Sequence, residues 1–197
     1  MLERYDPEDV VRTLLDARDP SGDPVVEGVR LLMSAFGYDF YDARNVARAN
    51  DQLVRAKVAG ILADAGRALA RLEFAYREEF CPPPSRAQPF PPADVMKPLK
   101  ALERTMRRLA DVETAIRTAE TPATDMIWFR VRSERWMLEK LLACDVGLAV
   151  TATELAERVA KLDPAALRGT ALDELSAAIE SLDRTLDGRR KLLTVPT

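Results

Sequence analysis

The feature that most constrains this chain is a proline block, Cys81-Pro-Pro-Pro-Ser-Arg-Ala-Gln-Pro-Phe-Pro-Pro92, set between two segments of strong helical character. Proline lacks a backbone N–H and its ring clashes with the preceding turn, so no helix runs through such a block. The architecture must turn here. Upstream, from about Asp42 to Phe80, only Gly60 and Gly66 interrupt good helix formers. Apolar residues recur there at Val54, Val58, Ile61, Ala65, Leu69, Leu72, Tyr76 and Phe80, in steps of three and four. That is the helical period. Downstream, Asp94 is placed to cap a second helix with a seam of Val95, Leu99, Leu102, Met106, Leu109, Val112 and Ile116. Pro98 falls at about its first turn, where proline costs little. The two segments read as a long antiparallel helical hairpin over 42–120 with a proline-rich tip at 81–92, its seam close to a heptad.

The flanks read as further helices. Asp6-Pro7-Glu8-Asp9 has the cap, proline and acids of a helix start, and short N-terminal helices are expected over 1–41. Tyr38, Phe40 and Tyr41 form an aromatic connection that fits either a plug for the bundle end or an exposed contact cluster. After the break at Thr121-Pro-Ala-Thr-Asp125, a third long helix is expected from near Met126, with a kink at Gly147. Thr151-Ala-Thr-Glu154 fits a capping box, where a new helix would begin. Asp163-Pro164 breaks again, Thr170 opens a last helix and Gly188 ends it. The expected fold is all-α: one domain over 1–197, a bundle of about six helices, with 121–197 supplying the C-terminal helices.

Composition narrows the chemistry. With 29 basic and 32 acidic residues the net charge is −3, too balanced to draw the chain to nucleic acid or an anionic membrane. There is no histidine, which removes Ser-His-Asp and Cys-His nucleophile systems, ordinary zinc sites and the Glu-x-x-His di-iron sites of helix bundles. Cys81 and Cys144 stand far apart and suit reduced thiols better than a disulfide framework. No apolar run approaches the roughly 20 residues of a membrane span, and the polar N-terminus is unlike a signal peptide. A cytoplasmic protein is expected.

Two constellations carry possible function. Trp128-Phe-Arg-Val-Arg-Ser-Glu-Arg-Trp136 holds both tryptophans of the chain with three arginines between them. Trp and Arg are enriched in binding hot spots, so Trp128, Arg132, Arg135 and Trp136 are the candidate partner-binding residues. Tryptophans filling the core between helices, with arginines paired to neighbouring acids, is the structural alternative. The second constellation is Glu154-Leu-Ala-Glu157 with Glu180-Ser-Leu-Asp183, two i, i+3 carboxylate pairs on neighbouring helices. Facing one another they would hold Mg²⁺ beside a phosphate. The pattern resembles the ExxE…ExxD signature of MazG-like all-α NTP pyrophosphohydrolases, and the resemblance implies Mg²⁺-dependent nucleotide hydrolysis by Glu154, Glu157, Glu180 and Asp183. The same residues also flank the apolar stripes, as solvated helix faces do. Pro89-Phe-Pro-Pro92 contains a minimal PxxP, readable as a polyproline II ligand or as a rigid connector. Thr151 to Val159 resembles the first helix of a helix-turn-helix, but the acidic helix that follows would repel DNA.

The expected function is therefore non-enzymatic: an adaptor, assembly factor or regulator that docks a protein partner or a second copy of itself, without cofactor, nucleic acid or membrane. The Mg²⁺-dependent hydrolase is the alternative.

Overall fold

The computed structural model describes residues 49–83, 85–86, 90–119 and 135–194, together with Gly28, Leu31 to Met33 and Ala35, with side chains from 54 in the first long helix and from 140 to 193 in the last two. Helix is the regular structure of the described residues, with no strand among them. In chain order they form α1 (Ala49–Phe80), α2 (Ala93–Arg117), α3 (Arg135–Ala160), a short 3-10 turn (Ala165–Arg168) and α4 (Ala171–Thr194). Residues 1–27 and the aromatic connection of Tyr38, Phe40 and Tyr41 lie outside the described residues. So does the start of the third helix expected near Met126.

Each helix buries one stripe. Val54, Val58, Leu62, Ala65, Leu69, Leu72 and Tyr76 of α1 are buried, as are Val95, Leu99, Leu102, Leu109, Val112 and Ile116 of α2. The seams match expectation with small shifts of phase. Leu62 takes the depth expected of Ile61, and Thr105 that of Met106. Thr105 is tolerated there because its hydroxyl donates to the Ala101 carbonyl at 3.1 Å, leaving no unpaired polar atom in the core.

Several local expectations are corrected. α2 takes no side-chain cap from Asp94; it starts at Ala93 with Pro92 at the cap position, whose carbonyl accepts the Val95 and Met96 N–H groups, both at 3.1 Å. Asp94 instead lies in the first turn, where its charge suits the helix dipole. Pro98 sits inside the helix, past the first turn. α3 runs unbroken through Gly147 and Thr151, so the capping box expected at Thr151 does not form. Instead the Thr153 hydroxyl donates back to the Ala149 carbonyl at 2.8 Å. α4 likewise continues through Gly188 to Thr194. A glycine inside a helix costs only about 1 kcal/mol. Burial outweighs that here: Val146, Leu148 and Ala149 beside Gly147, and Leu186 and Arg189 beside Gly188, are all at or below 1% exposure. The break at Asp163-Pro164 does occur, with the Asp163 carboxylate accepting the Ala166 N–H at 2.8 Å.

The four long helices close on themselves: α1 packs on α2 and α3, and α4 packs on α3 and α2. Tyr76 near the end of α1 reaches Val95 at the start of α2, whereas Arg55 near the start of α1 reaches Ile116 and Ala119 at the end of α2. These two helices therefore run in opposite directions. α3 and α4 also run oppositely, since Gly147 faces Thr185 while Arg158 and Glu174 share one groove further along. The turn after α3 returns to the end of α1. Its Leu167 is buried, and the Arg168 guanidinium lies 4.6 Å from the centre of the Phe80 ring and donates to the Tyr76 hydroxyl at 3.4 Å. Tyr76 donates in turn to the Val95 carbonyl at 3.3 Å. One aromatic and guanidinium contact thus ties α1, α2 and the α3–α4 turn together at a single end. The core is one cluster fed by all four helices and by Met33 of the N-terminal segment. No described helix is long and apolar enough to cross a membrane.

Candidate functional site

The partner-binding residues expected from the sequence fall where little is described. Trp128 and Arg132 lie outside the described residues. Arg135 and Trp136 begin α3, but their side chains are not among those described.

The four carboxylates are placed, and they do not gather. Glu154 is half-buried in the cleft between α3 and α4. Glu157 and Asp183 are exposed and line no part of that cleft. Glu180 turns to the other flank of α4, where it accepts a hydrogen bond from Arg108 of α2 at 3.2 Å. Helix geometry explains the split. Leu175, Ile179, Leu182 and Leu186 point α4 into the core, and Glu180 and Ser181 then emerge on opposite sides of that stripe. Among the described residues no group of three or more Asp, Glu, Cys or His side chains is placed to hold a metal ion.

A different set of residues does converge. Gly147, Thr151, Glu154 and Arg158 of α3 recur at helical spacing along one face, and Glu174, Ala178, Ser181 and Thr185 of α4 do the same. Between the two faces lies a groove of about 450 Å³, lined by Val150 and Ala177 as well. That volume lies within the range of roughly 300–1,000 Å³ typical of ligand clefts. Small residues keep it open: a methyl group added at Gly147 would already touch Thr185 at 3.5 Å. Thr185 is held by donation to the Ser181 carbonyl at 2.9 Å, and Glu174 accepts from the Thr170 hydroxyl at 3.3 Å. The groove was not legible as a site because its polar members are ordinary helix-surface residues. Only the register of α3 against α4 brings them together.

Two further features were missed. Arg55, Asp145 and Arg189, on three different helices, are buried at 1–3% exposure. The available signal was register: each sits at three- or four-residue spacing from buried apolar neighbours, as Arg189 does from Leu186. Arg55 has a clear structural role, donating to the Ala119 carbonyl just past the end of α2 and to the Ile116 carbonyl, which also accepts the Ala119 N–H. Conversely, Leu31, Phe74 and Phe90 are the exposed large apolar side chains among the described residues, at 71%, 63% and 79%. Phe74 stands on a face of α1 with Arg67, Ala70, Arg71 and Glu78, all exposed, and Phe90 lies in the proline block just before α2. Upward pKa shifts at Arg77, from its hydrogen bond to Glu73, and at Arg168, from its bond to Tyr76, keep both guanidiniums charged. Neither marks an acid or a base.

No protein-family model matches the chain, and no curated protein or solved structure matches it either.

Proposed function

We propose that the protein is a non-enzymatic helical interaction protein, an adaptor, assembly factor or regulator, that docks a protein partner through the end of the bundle carrying Phe74 and Phe90. The observation that carries this reading is the exposure of two phenylalanines on a molecule whose long helices otherwise turn their apolar stripes inward. A phenylalanine held in water forgoes roughly 1.5–3 kcal/mol of burial, and exposed aromatics are the usual anchors of protein interfaces. In this reading α1, residues 81–92 and α2 form the proline-tipped hairpin, with Phe90 just ahead of α2. The partner is a second copy or another protein with an apolar cleft, and the setting is cytoplasmic.

The test compares wild type with the double variant Phe74→Ser, Phe90→Ser by size separation of native extract. The wild type should migrate well above its monomer mass of 21.9 kDa. The variant should fall back to the monomer position with its thermal stability unchanged. A monomeric wild type, or a variant that migrates with the wild type, would overturn the proposal.

The hydrolase reading requires Glu154, Glu157, Glu180 and Asp183 on one site, and the engagement of Glu180 with Arg108 counts against it. If it held, nucleotide with Mg²⁺ would raise the melting temperature and Glu157→Gln would abolish the rise. The docking reading expects no shift in either protein.

A further inference from the structure

We propose, on the docking reading above, that the face carrying Phe74 receives an acidic amphipathic helix of another protein, its carboxylates laid along a row of cations on α2. Lys97, Lys100, Arg104 and Arg107 recur in steps of three and four along α2, and all are exposed. That spacing puts them on one face of the helix, as a row about 15 Å long at 1.5 Å per residue. Like charges at these spacings repel and weaken a helix, whereas opposite charges support it. Elsewhere the molecule uses the supporting arrangement: Asp64 with Arg67, Glu73 with Arg77, Glu113 with Arg117 and Asp187 with Arg190 each pair within one turn. On the α2 row, no acid among the described residues pairs with any of the four cations. Glu103 lies within one turn of Lys100 and Arg107, but Arg77 of α1 holds it at 3.3 Å. Asp94 and Asp111 stand beyond the two ends of the row. Arg104 commits only its Nε, which donates to the Lys100 carbonyl at 3.2 Å.

The Arg77–Glu103 pair also joins this row to the phenylalanine. Phe74 lies three residues from Arg77 on α1, and Glu103 lies one turn from both Lys100 and Arg107. A ligand seated on Phe74 is therefore bordered by cations on its α2 side. A helix with apolar residues for Phe74, and Asp or Glu beside them in steps of three and four, repeats at the spacing of the row. Other polyanions fit less well. Nucleic acid would find no aromatic side chain on α2 to stack against, and the chain's net charge of −3 opposes it. Helices that lie on an anionic bilayer bury an apolar face beside their cations, and that of α2 is turned into the core. A second copy would offer the acids of α4, but Arg108 and Arg190 already engage Glu180 and Asp187 there.

The experiment is an NMR titration of the full-length, ¹⁵N-labelled protein with a synthetic helical peptide of about 18 residues, five turns. The peptide carries leucine along one stripe and glutamate along the next. Saturable shifts are expected at amides of 70–78 and 97–107. The triple variant Lys100→Gln, Arg104→Gln, Arg107→Gln should bind it about tenfold more weakly, at roughly twofold for each exposed ion pair lost. All three side chains are exposed, so the variant should melt no lower than wild type. The same peptide with glutamine for glutamate should bind both proteins equally and weakly. Oligodeoxythymidine and phosphatidylserine vesicles form two further arms, and either one binding as tightly as the glutamate peptide would overturn the proposal. So would non-saturating shifts, or an unchanged affinity in the triple variant. In native extract the triple variant should lose the high-mass complex, as Phe74→Ser, Phe90→Ser does. A complex that survives the charge changes but not the phenylalanine changes overturns this inference and leaves the docking reading standing. A complex that the purified protein forms alone assigns the face to a second copy and overturns it likewise. A wild type that is monomeric in extract overturns both readings.

Discussion

At the scale of single residues, Arg55 is the side chain whose removal is most informative. Its guanidinium spans from α1 to the Ile116 and Ala119 carbonyls, at and just past the end of α2. Arg55→Met keeps the stem's volume and removes the donors. The expected loss is about 1–3 kcal/mol, the range for buried polar groups left without a partner, read as a lower urea midpoint at unchanged slope. An unchanged midpoint would mean that water satisfies those carbonyls equally well. Tyr76→Phe makes a smaller cut. It removes the hydroxyl between Val95 and Arg168 but keeps the ring 4.8 Å from Phe80, and the expected cost is about 0.5–1.5 kcal/mol. At this scale the sequence was readable for apolar residues such as Leu99, Leu102 and Leu109, because burial follows from period. It was unreadable for Arg55, Asp145 and Arg189, because a charge is assigned to water until packing shows that it cannot reach any.

At the scale of elements, the instructive positions are Gly188 and Pro98. Gly188 reads as a helix end in isolation, yet α4 passes through it. A side chain added there meets nothing within 4 Å. Gly188→Ala should therefore stabilise the protein by about 0.5–1 kcal/mol, through reduced backbone entropy in the unfolded chain. A loss of stability would show that the glycine serves something other than the helix. Pro98 lies inside α2, where it removes one helical hydrogen bond and crowds the carbonyl four residues before it. Pro98→Ala should raise stability by about 2–2.5 kcal/mol, the roughly 3 kcal/mol helix-propensity gain less the roughly 0.4–1 kcal/mol by which proline restricts the unfolded chain. Chemical denaturation checks both variants. Element type was legible throughout the described helices, since period and composition agreed. The breaks at Thr151 and Gly188 were misjudged because capping motifs and glycines are weak local signals, and a buried helix overrides them. Asp163-Pro164 was judged correctly because two local signals coincide there: Pro164 has no N–H with which to continue α3, and the Asp163 carboxylate takes the Ala166 N–H of the turn that follows.

At the scale of the whole molecule, one core fed by four helices should unfold as a unit. Leu99→Ala in α2 and Leu142→Ala in α3, both essentially fully buried, should each cost about 2–5 kcal/mol and lower a single shared transition. Two separate transitions would show that the α1–α2 and α3–α4 pairs are independent. The candidate sites belong to this scale as well. The α3–α4 groove exists only through the register of two helices. The exposure of Phe74 is a statement about which faces the other helices leave uncovered, and no single-helix pattern states it. The central claim is that this face meets a protein. The most direct measurement places a photo-reactive benzoylphenylalanine at Phe74 in the living cell, with the same residue at exposed Arg184 as control. On irradiation the account predicts one discrete adduct from position 74, identified by mass spectrometry as a copy of this chain or one other protein, and none from position 184. No adduct at 74, or the same diffuse adducts from both positions, would contradict it.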